Sequence, residues 1–311
     1  MNRHRFFTML LAFAVCIGTS AWAQQAPGNG APARLLVTVE PHHGSNVPVI
    51  NRDDVMVYEG HDRDQVTEWT PATGDNAALE LFILIDDSSN TSLGSQLEDI
   101  KQFISAQPAT TLVGVAYLQD GVARVVQNLT SDHAAAAKSL RLPMGFGGAE
   151  ASPYISISDL VKKWPANKAR HEAFLVSDGV DRLYGSGDLL DPYLEAAIDD
   201  AVRAGIVISA VYTPGVGHFG HSYWQNYWGQ MYLSELTDKT GGEAYYIGFT
   251  GAPTTFAPYL DNFSHRLQHQ YWLGFVPKPP KKSGFVSIRL RSEVQGVDLV
   301  SAGRVYVSAE R

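Results

Sequence analysis

The sequence predicts an α/β protein, a doubly wound and mostly parallel sheet, joined to a discontinuous β domain assembled from both chain ends. Three observations predict it. Residues 79–85 and 173–176 are almost uninterrupted apolar runs, as expected of strands covered on both faces. Segments with helical apolar spacing alternate with such runs, which builds a parallel sheet with helices on either side. Half-apolar β runs gather before residue 70 and after residue 271, and pairing them buries both sets in one sheet.

The composition bounds the rest. A chain of 311 residues that is 45% hydrophobic and 18% charged can bury a substantial core. Its 24 basic and 32 acidic residues give a net charge of −8 with no basic footprint, so nucleic acid is not the expected partner. Residues 1–23 read as a signal peptide: Arg3 and Arg5, an apolar run from Phe6 to Gly18, then Ala21 and Ala23 flanking Trp22. That run is shorter than the ~20 residues a membrane-spanning helix needs. Cleavage removes the single cysteine, Cys16, and with Arg3 and Arg5 gone the charge moves from −8 to −10. The expectation is an exported chain, periplasmic or secreted, with no disulfide, no thiolate metal site and no membrane span after cleavage.

Residues 24–33, rich in Gly, Pro and Ala, read as a linker. Residues 34–70 then hold β runs at 35–39, 55–58 and 66–69, the N-terminal part of the β domain. The α/β unit spans 78–270. Its first strand, 79–85, ends at Asp86, and Leu93, Leu97, Ile100 and Ile104 follow at helical spacing, with Thr91 or Ser92 placed to cap. Strand 111–118 turns at Asp120-Gly121 into 122–129, an antiparallel edge hairpin. Ser152-Pro153 opens a helix with Ile157, Leu160, Val161 and Trp164 on one face. Strand 173–176 follows, then a helix carrying Leu194, Ala197, Ile198, Ala201 and Val202 that Gly205 ends. Strand 206–212, a helix to Thr240, a short strand at 244–247 and a helix bearing Tyr259, Leu260, Phe263 and Leu267 complete the unit. Residues 271–311 return to β rhythm, with runs at 271–276, 284–291 and 298–307.

In such a sheet, ligands bind outside the carboxyl ends of the strands. The loops there carry Asp86-Asp87-Ser88-Ser89-Asn90 and Ser177-Asp178-Gly179, and Ser152 starts a helix on the same rim. Oxygen donors without imidazole or thiolate suit a hard cation, Mg²⁺ or Mn²⁺. Asp87 and Asp181 read as solvated neighbours.

The run from Phe82 to Asn90, Ser152-Pro153-Tyr154, and Phe174 to Gly179 together resemble the von Willebrand factor type A domain. The flanking Asp53-Asp54-Val55-Met56-Val57-Tyr58-Glu59-Gly60 and Tyr271-Trp272-Leu273-Gly274-Phe275 are similar to exported bacterial proteins related to it. The resemblance implies a metal-ion-dependent adhesion site whose Asp-x-Ser-x-Ser motif, second-loop Thr and third-loop Asp hold a divalent ion. Asp86, Ser88 and Asp178 match. Asn90 replaces the second Ser, and Ser152 stands in the Thr position unless that position falls at Ala149, which has no donor. Each has a plainer reading: Asp86 and Ser152 as helix caps, Asn90 as a turn residue.

Beyond Tyr212 come His218, Phe219, His221, Tyr223, Trp224, Tyr227 and Trp228. These rings either contact a partner, with His221, Tyr223, Trp224, Tyr227 and Trp228 as its surface, or pack under their own loop. His265 and His269, with no third ligand, read as surface residues. No nucleophile elbow, phosphate loop or zinc-protease helix is present, and no general base stands beside the oxygen-donor loops, so an enzyme is not expected. The expected function is an exported protein-binding module whose rim cation takes a carboxylate from a partner protein. The alternative is a structural envelope protein with a degenerate metal site, binding through the β domain or the aromatic loop.

Overall fold

The computed structural model describes residues 32–148, 151–185, 191–215, 223–278 and 280–309. The signal peptide, nearly all of the linker, Ala149, His218, Phe219 and His221 lie outside the described residues.

In chain order the elements are β1 (Ala33–Pro41), β2 (Val55–Glu59), β3 (Asp62–Pro71), β4 (Leu79–Asp86), α1 (Gly94–Ser105), β5 (Thr111–Gln119), β6 (Val122–Thr130), α2 (His133–Lys138), α3 (Pro153–Lys163), β7 (Arg170–Ser177), α4 (Pro192–Ala204), β8 (Ile206–Tyr212), α5 (Tyr223–Thr240), β9 (Ala244–Tyr245), α6 (Ala257–Gln268), β10 (Gln270–Val276), β11 (Gly284–Ser287), β12 (Arg289–Ser292), β13 (Val297–Val300) and β14 (Arg304–Val307).

The central sheet has the order β6-β5-β4-β7-β8-β9, parallel except for the edge strand β6. Strands β4, β7 and β8 are buried along their whole length, which is why their sequences are apolar without alternation. Leu97 and Ile100 of α1, Ala136 of α2 and Leu260 and Phe263 of α6 cover one face. Ile157 of α3, Ile198 of α4 and Leu233 of α5 cover the other. This is the predicted doubly wound α/β architecture. Asp120 and Gly121 both adopt positive φ in the two-residue turn between β5 and β6, the geometry that joins such a hairpin.

The second six-stranded sheet, β12-β2-β3-β10-β1-β13, is antiparallel throughout and draws strands from both chain ends. Its core includes Val37, Val57, Leu273 and Phe275. The runs 284–291 and 298–307, predicted as single strands, each divide. β11 pairs with β14, whereas β12 and β13 join the larger sheet. The break falls at Ile288, a buried residue whose N–H bonds the Gly303 carbonyl at 2.9 Å where both segments change sheets. A second departure is at α1, which begins at Gly94 with no side-chain cap from Thr91 or Ser92.

A buried polar cluster links β7 to β10. Arg170 donates to the Leu267 carbonyl and to Gln270 Oε1, both at 2.7 Å, and Gln270 Nε2 donates to Glu172 Oε1 at 2.6 Å. Burial pushes the Glu172 carboxyl up to about 7, against the opposing pull of Gln270 and Arg170. Glu172 therefore holds a proton in the folded chain at pH values where the unfolded chain has released it. Stability is expected to fall as pH rises from about 4.5 to 7, by roughly 3 kcal/mol. Urea unfolding across that window, with Glu172→Gln reducing the slope, measures this.

Candidate functional site

β4, β7 and β8 lie side by side, so the loops leaving Asp86, Ser177 and Tyr212 open on one rim. Asp86 is buried and its carboxylate is saturated locally. Oδ1 accepts from the Ser88 N–H at 2.9 Å and the Ser88 hydroxyl at 2.5 Å, and Oδ2 accepts from the Ser177 hydroxyl at 2.7 Å. Ser177 in turn accepts the Gly179 N–H at 2.9 Å, so the ends of β4 and β7 are tied through the Ser177 hydroxyl.

Asp178, fully buried, faces a residue that the reading of the rim overlooked. The Arg182 guanidinium forms an ion pair with it: Nη2 bonds Oδ2, and Nη1 reaches Oδ1 at 3.3 Å. Nη1 also donates to Ser88 Oγ at 2.9 Å and to the Val180 carbonyl at 3.3 Å. Ser88 thus gives its proton to Asp86 and receives one from Arg182. Burial raises the Asp178 carboxyl's pKa, Arg182 pulls it down and Asp86 adds to the rise. For Arg182, burial opposes the charge, but Asp178, Asp86 and Asp181 outweigh it and hold the guanidinium ionised.

The remaining predicted ligands are engaged elsewhere. Ser152 caps α3, accepting the Ile155 N–H at 3.3 Å, and donates to Asp181 Oδ2 at 2.5 Å. Asp181, read as a solvated neighbour, is fully buried; its Oδ1 accepts the N–H groups of Leu183 and Tyr184, both at 2.8 Å. Asn90 Oδ1 accepts the Ser92 N–H at 2.8 Å in a local turn. Asp87, read the same way as Asp181, is also fully buried. Arg141 grips both of its oxygens at 2.7 Å and lies 3.7 Å from the Tyr117 ring centroid. Both aspartates correct the solvated reading, because each has an internal partner that makes burial tolerable.

The metal expectation meets this geometry directly. A bound Mg²⁺ needs oxygen ligands about 2.1 Å from one centre. Here Ser88 Oγ and both oxygens of Asp178 are turned to a guanidinium, and Ser152 and Asn90 point into other contacts. Among the described residues no group of three or more His, Cys, Asp or Glu converges on a point. The donor set as arranged does not fit a hydrated divalent ion.

Close backbone contacts hold the rim in this form. Gly179 adopts φ +71°, and a Cβ on Gly229 of α5 would lie 2.1 Å from the Asp178 carbonyl oxygen. A Cβ on Gly215 would meet Asp178 Oδ2 at 2.2 Å and Arg182 Nη2 at 2.7 Å. Docked in this way, α5 presents Tyr223, Trp224 and Tyr227 to solvent at 67%, 68% and 48% exposure. Trp228 instead packs on the core beside Tyr232, so the aromatic set divides between the two readings. His265 and His269 bond the Ser45 and His265 carbonyls through ring nitrogens.

No protein-family model matches the chain, and no curated protein matches it. Among solved structures, an aerotolerance-related membrane protein from Bacteroides fragilis is similar at 16% identity and TM-score 0.42, covering 61% of this chain and 98% of that one. The SpRpn10 VWA domain is similar at 17% identity and TM-score 0.40, covering 61% and 97%. The ArnB paralog VWA2 from Sulfolobus acidocaldarius is similar at 8% identity and TM-score 0.36, covering 92% and 73%. The doubly wound α/β description of the fold stands on the strand order and loop placement of the chain itself.

Ser152→Ala is expected to cost about 1–2 kcal/mol through the lost cap and the unpaired Asp181 oxygen, equally with and without Mg²⁺. Thermal melts in Mg²⁺ and in chelator check this, and a loss confined to Mg²⁺ would make Ser152 a ligand.

Proposed function

We propose that the chain is an exported, non-catalytic protein-interaction module that engages a partner protein through the rim at the carboxyl ends of its central strands. One observation carries the reading. Exposed Tyr223, Trp224 and Tyr227 share that rim with exposed Leu142, Met144, Phe146, Leu183 and Tyr184, around loops whose charges are internally paired. Large aromatic and apolar side chains held by a rigid frame are the usual anchors of protein recognition. Export is supported by the signal-peptide pattern of residues 1–23, with the periplasm or the exterior as destination. No helix among the described residues is long and apolar enough to cross a membrane.

In the metal-dependent form of this reading, Mg²⁺ or Mn²⁺ held by Asp86, Ser88 and Asp178 would receive a partner carboxylate. The contacts of Arg182 favour the form without the ion, in which apolar anchors do the recognising. The sheet built from both chain ends serves in either form as a second unit that presents the rim.

A photo-crosslinking amino acid placed at Leu183 in exporting cells is expected to capture a defined partner, while the same group at Val126, on the edge strand β6, does not. Tyr223→Ala/Trp224→Ala/Tyr227→Ala should reduce capture ~10-fold or more with the melting temperature unchanged. Equal capture at both positions, or capture indifferent to the triple variant, would count against the rim.

A further inference from the structure

We infer that Arg182 is the resident cation of this rim, a guanidinium built into the chain where the resemblance places a divalent ion. The inference concerns the charge balance of the loops and stands without any partner.

The contacts of Arg182 are those of a central ion. It bridges the first loop, through Ser88 Oγ at 2.9 Å, to the third, through both oxygens of Asp178. Asp86, one bond further out, is linked to it through the shared Ser88 hydroxyl. One carboxylate, one hydroxyl and one carbonyl thus contact a single positive group, with a second carboxylate behind the hydroxyl. Nη1 meets Ser88 Oγ, Asp178 Oδ1 and the Val180 carbonyl at 2.9, 3.3 and 3.3 Å, separations of an N–H donor and longer than the ~2.1 Å at which a small divalent ion holds oxygen.

The guanidinium is also fixed from behind. Its backbone N–H bonds the Ala151 carbonyl at 2.9 Å, and the next two N–H groups bond Asp181, which holds Ser152. The turn carrying Arg182 is therefore anchored to the start of α3 before the side chain enters the site. Gly147 and Gly215 close the walls. A Cβ on Gly147 would stand 3.1 Å from Ser88 Cβ, and one on Gly215 would overlap the Asp178–Arg182 pair. With a side chain only 12% exposed, Arg182 lies inside the rim rather than over it.

Chemistry separates the two cations. A bound metal keeps coordination positions for water or a partner carboxylate, whereas a guanidinium spends its N–H groups on fixed acceptors in one plane. A rim centred on Arg182 therefore needs no ion from solution and does not respond to chelators.

The test is a Mn²⁺ titration of the exported chain, followed by the paramagnetic signal of the free ion and by thermal melting, on wild type, Arg182→Ala and Arg182→Ala/Asp178→Asn. Wild type is expected to take up no Mn²⁺ at millimolar concentration and to melt at the same temperature in Mn²⁺ and chelator. Arg182→Ala is expected to melt lower in chelator and to recover on binding one Mn²⁺, because it uncovers Asp86, Ser88 and Asp178. The double variant should lose that recovery. If Arg182→Ala cannot be purified folded, its refolding yield from urea with and without Mn²⁺ is the same readout. Saturable Mn²⁺ binding by wild type overturns the inference, as does an Arg182→Ala chain that Mn²⁺ neither stabilises nor helps to refold. Because no partner enters these measurements, their outcome is separable from that of the crosslinking experiment.

Discussion

Four aspartates at the ends of β4 and β7 are removed from water, and their charge governs the conformation of the rim. Asp86, Asp87, Asp178 and Asp181 are each at most 3% exposed. An unpaired carboxylate at such depth costs several kcal/mol. Each is therefore met from inside the chain: Asp178 by Arg182, Asp87 by Arg141, Asp86 by two hydroxyls and an amide, Asp181 by a hydroxyl and two amides. The partners sit on the loops that have to close. Opening either loop therefore removes the partner of a buried carboxylate.

The backbone around these pairs is as restricted as the side chains. Gly179 and Gly229 let α5 approach the Asp178 turn to within contact of its carbonyl, and Leu233 packs against Gly179. That approach sets where the first turns of α5 end, and so where Tyr223, Trp224 and Tyr227 emerge. An alanine at position 229 would raise helix propensity in isolation. In place it would collide with a peptide oxygen, so the site geometry and not the helix decides the residue.

Much of this architecture was legible beforehand because one physical pattern dominates it. Strands β4, β7 and β8 are covered on both faces, and their uninterrupted apolar runs announce that without knowledge of their neighbours. The convergence of Asp86, Ser88 and Asp178 followed from topology alone, since loops at the carboxyl ends of adjacent parallel strands share a rim. The identity of the cation did not follow. An Arg four residues beyond Asp178 was the available signal, but a loop spacing does not say whether a side chain turns inward. Asp87 was less accessible still, because Arg141 lies 54 residues away and an aspartate beside another aspartate reads as solvated until its partner is known. Ser152 illustrates a shared signal: a cap and a ligand use the same hydroxyl, and only the bond to Asp181 separates them. The six-residue α2 and the sheet change at Ile288 were hidden for a different reason, being too short for their periodicity to register.

Internal neutralisation also determines what the rim can offer to another molecule. Had the carboxylates been left open, the dominant field at the strand ends would be negative and recognition would run through cations. With Arg141 and Arg182 seated, two of the four charges are cancelled, the other two are held by neutral donors, and the loops that carry them become supports. Arg141 lies at the head of the segment bearing Leu142, Met144 and Phe146; Phe146 bonds the Asp87 carbonyl at 2.9 Å, and all three side chains are exposed. Asp87 thus anchors this apolar edge twice, through its side-chain ion pair with Arg141 and through its carbonyl to Phe146. On the opposite side, Asp181 orders Leu183 and Tyr184 through their N–H groups while their side chains face outward. Buried polarity and exposed apolarity at this rim are two consequences of one arrangement: the loops spend much of their hydrogen-bonding capacity inward, and Leu142, Met144, Phe146, Leu183 and Tyr184 are left facing water.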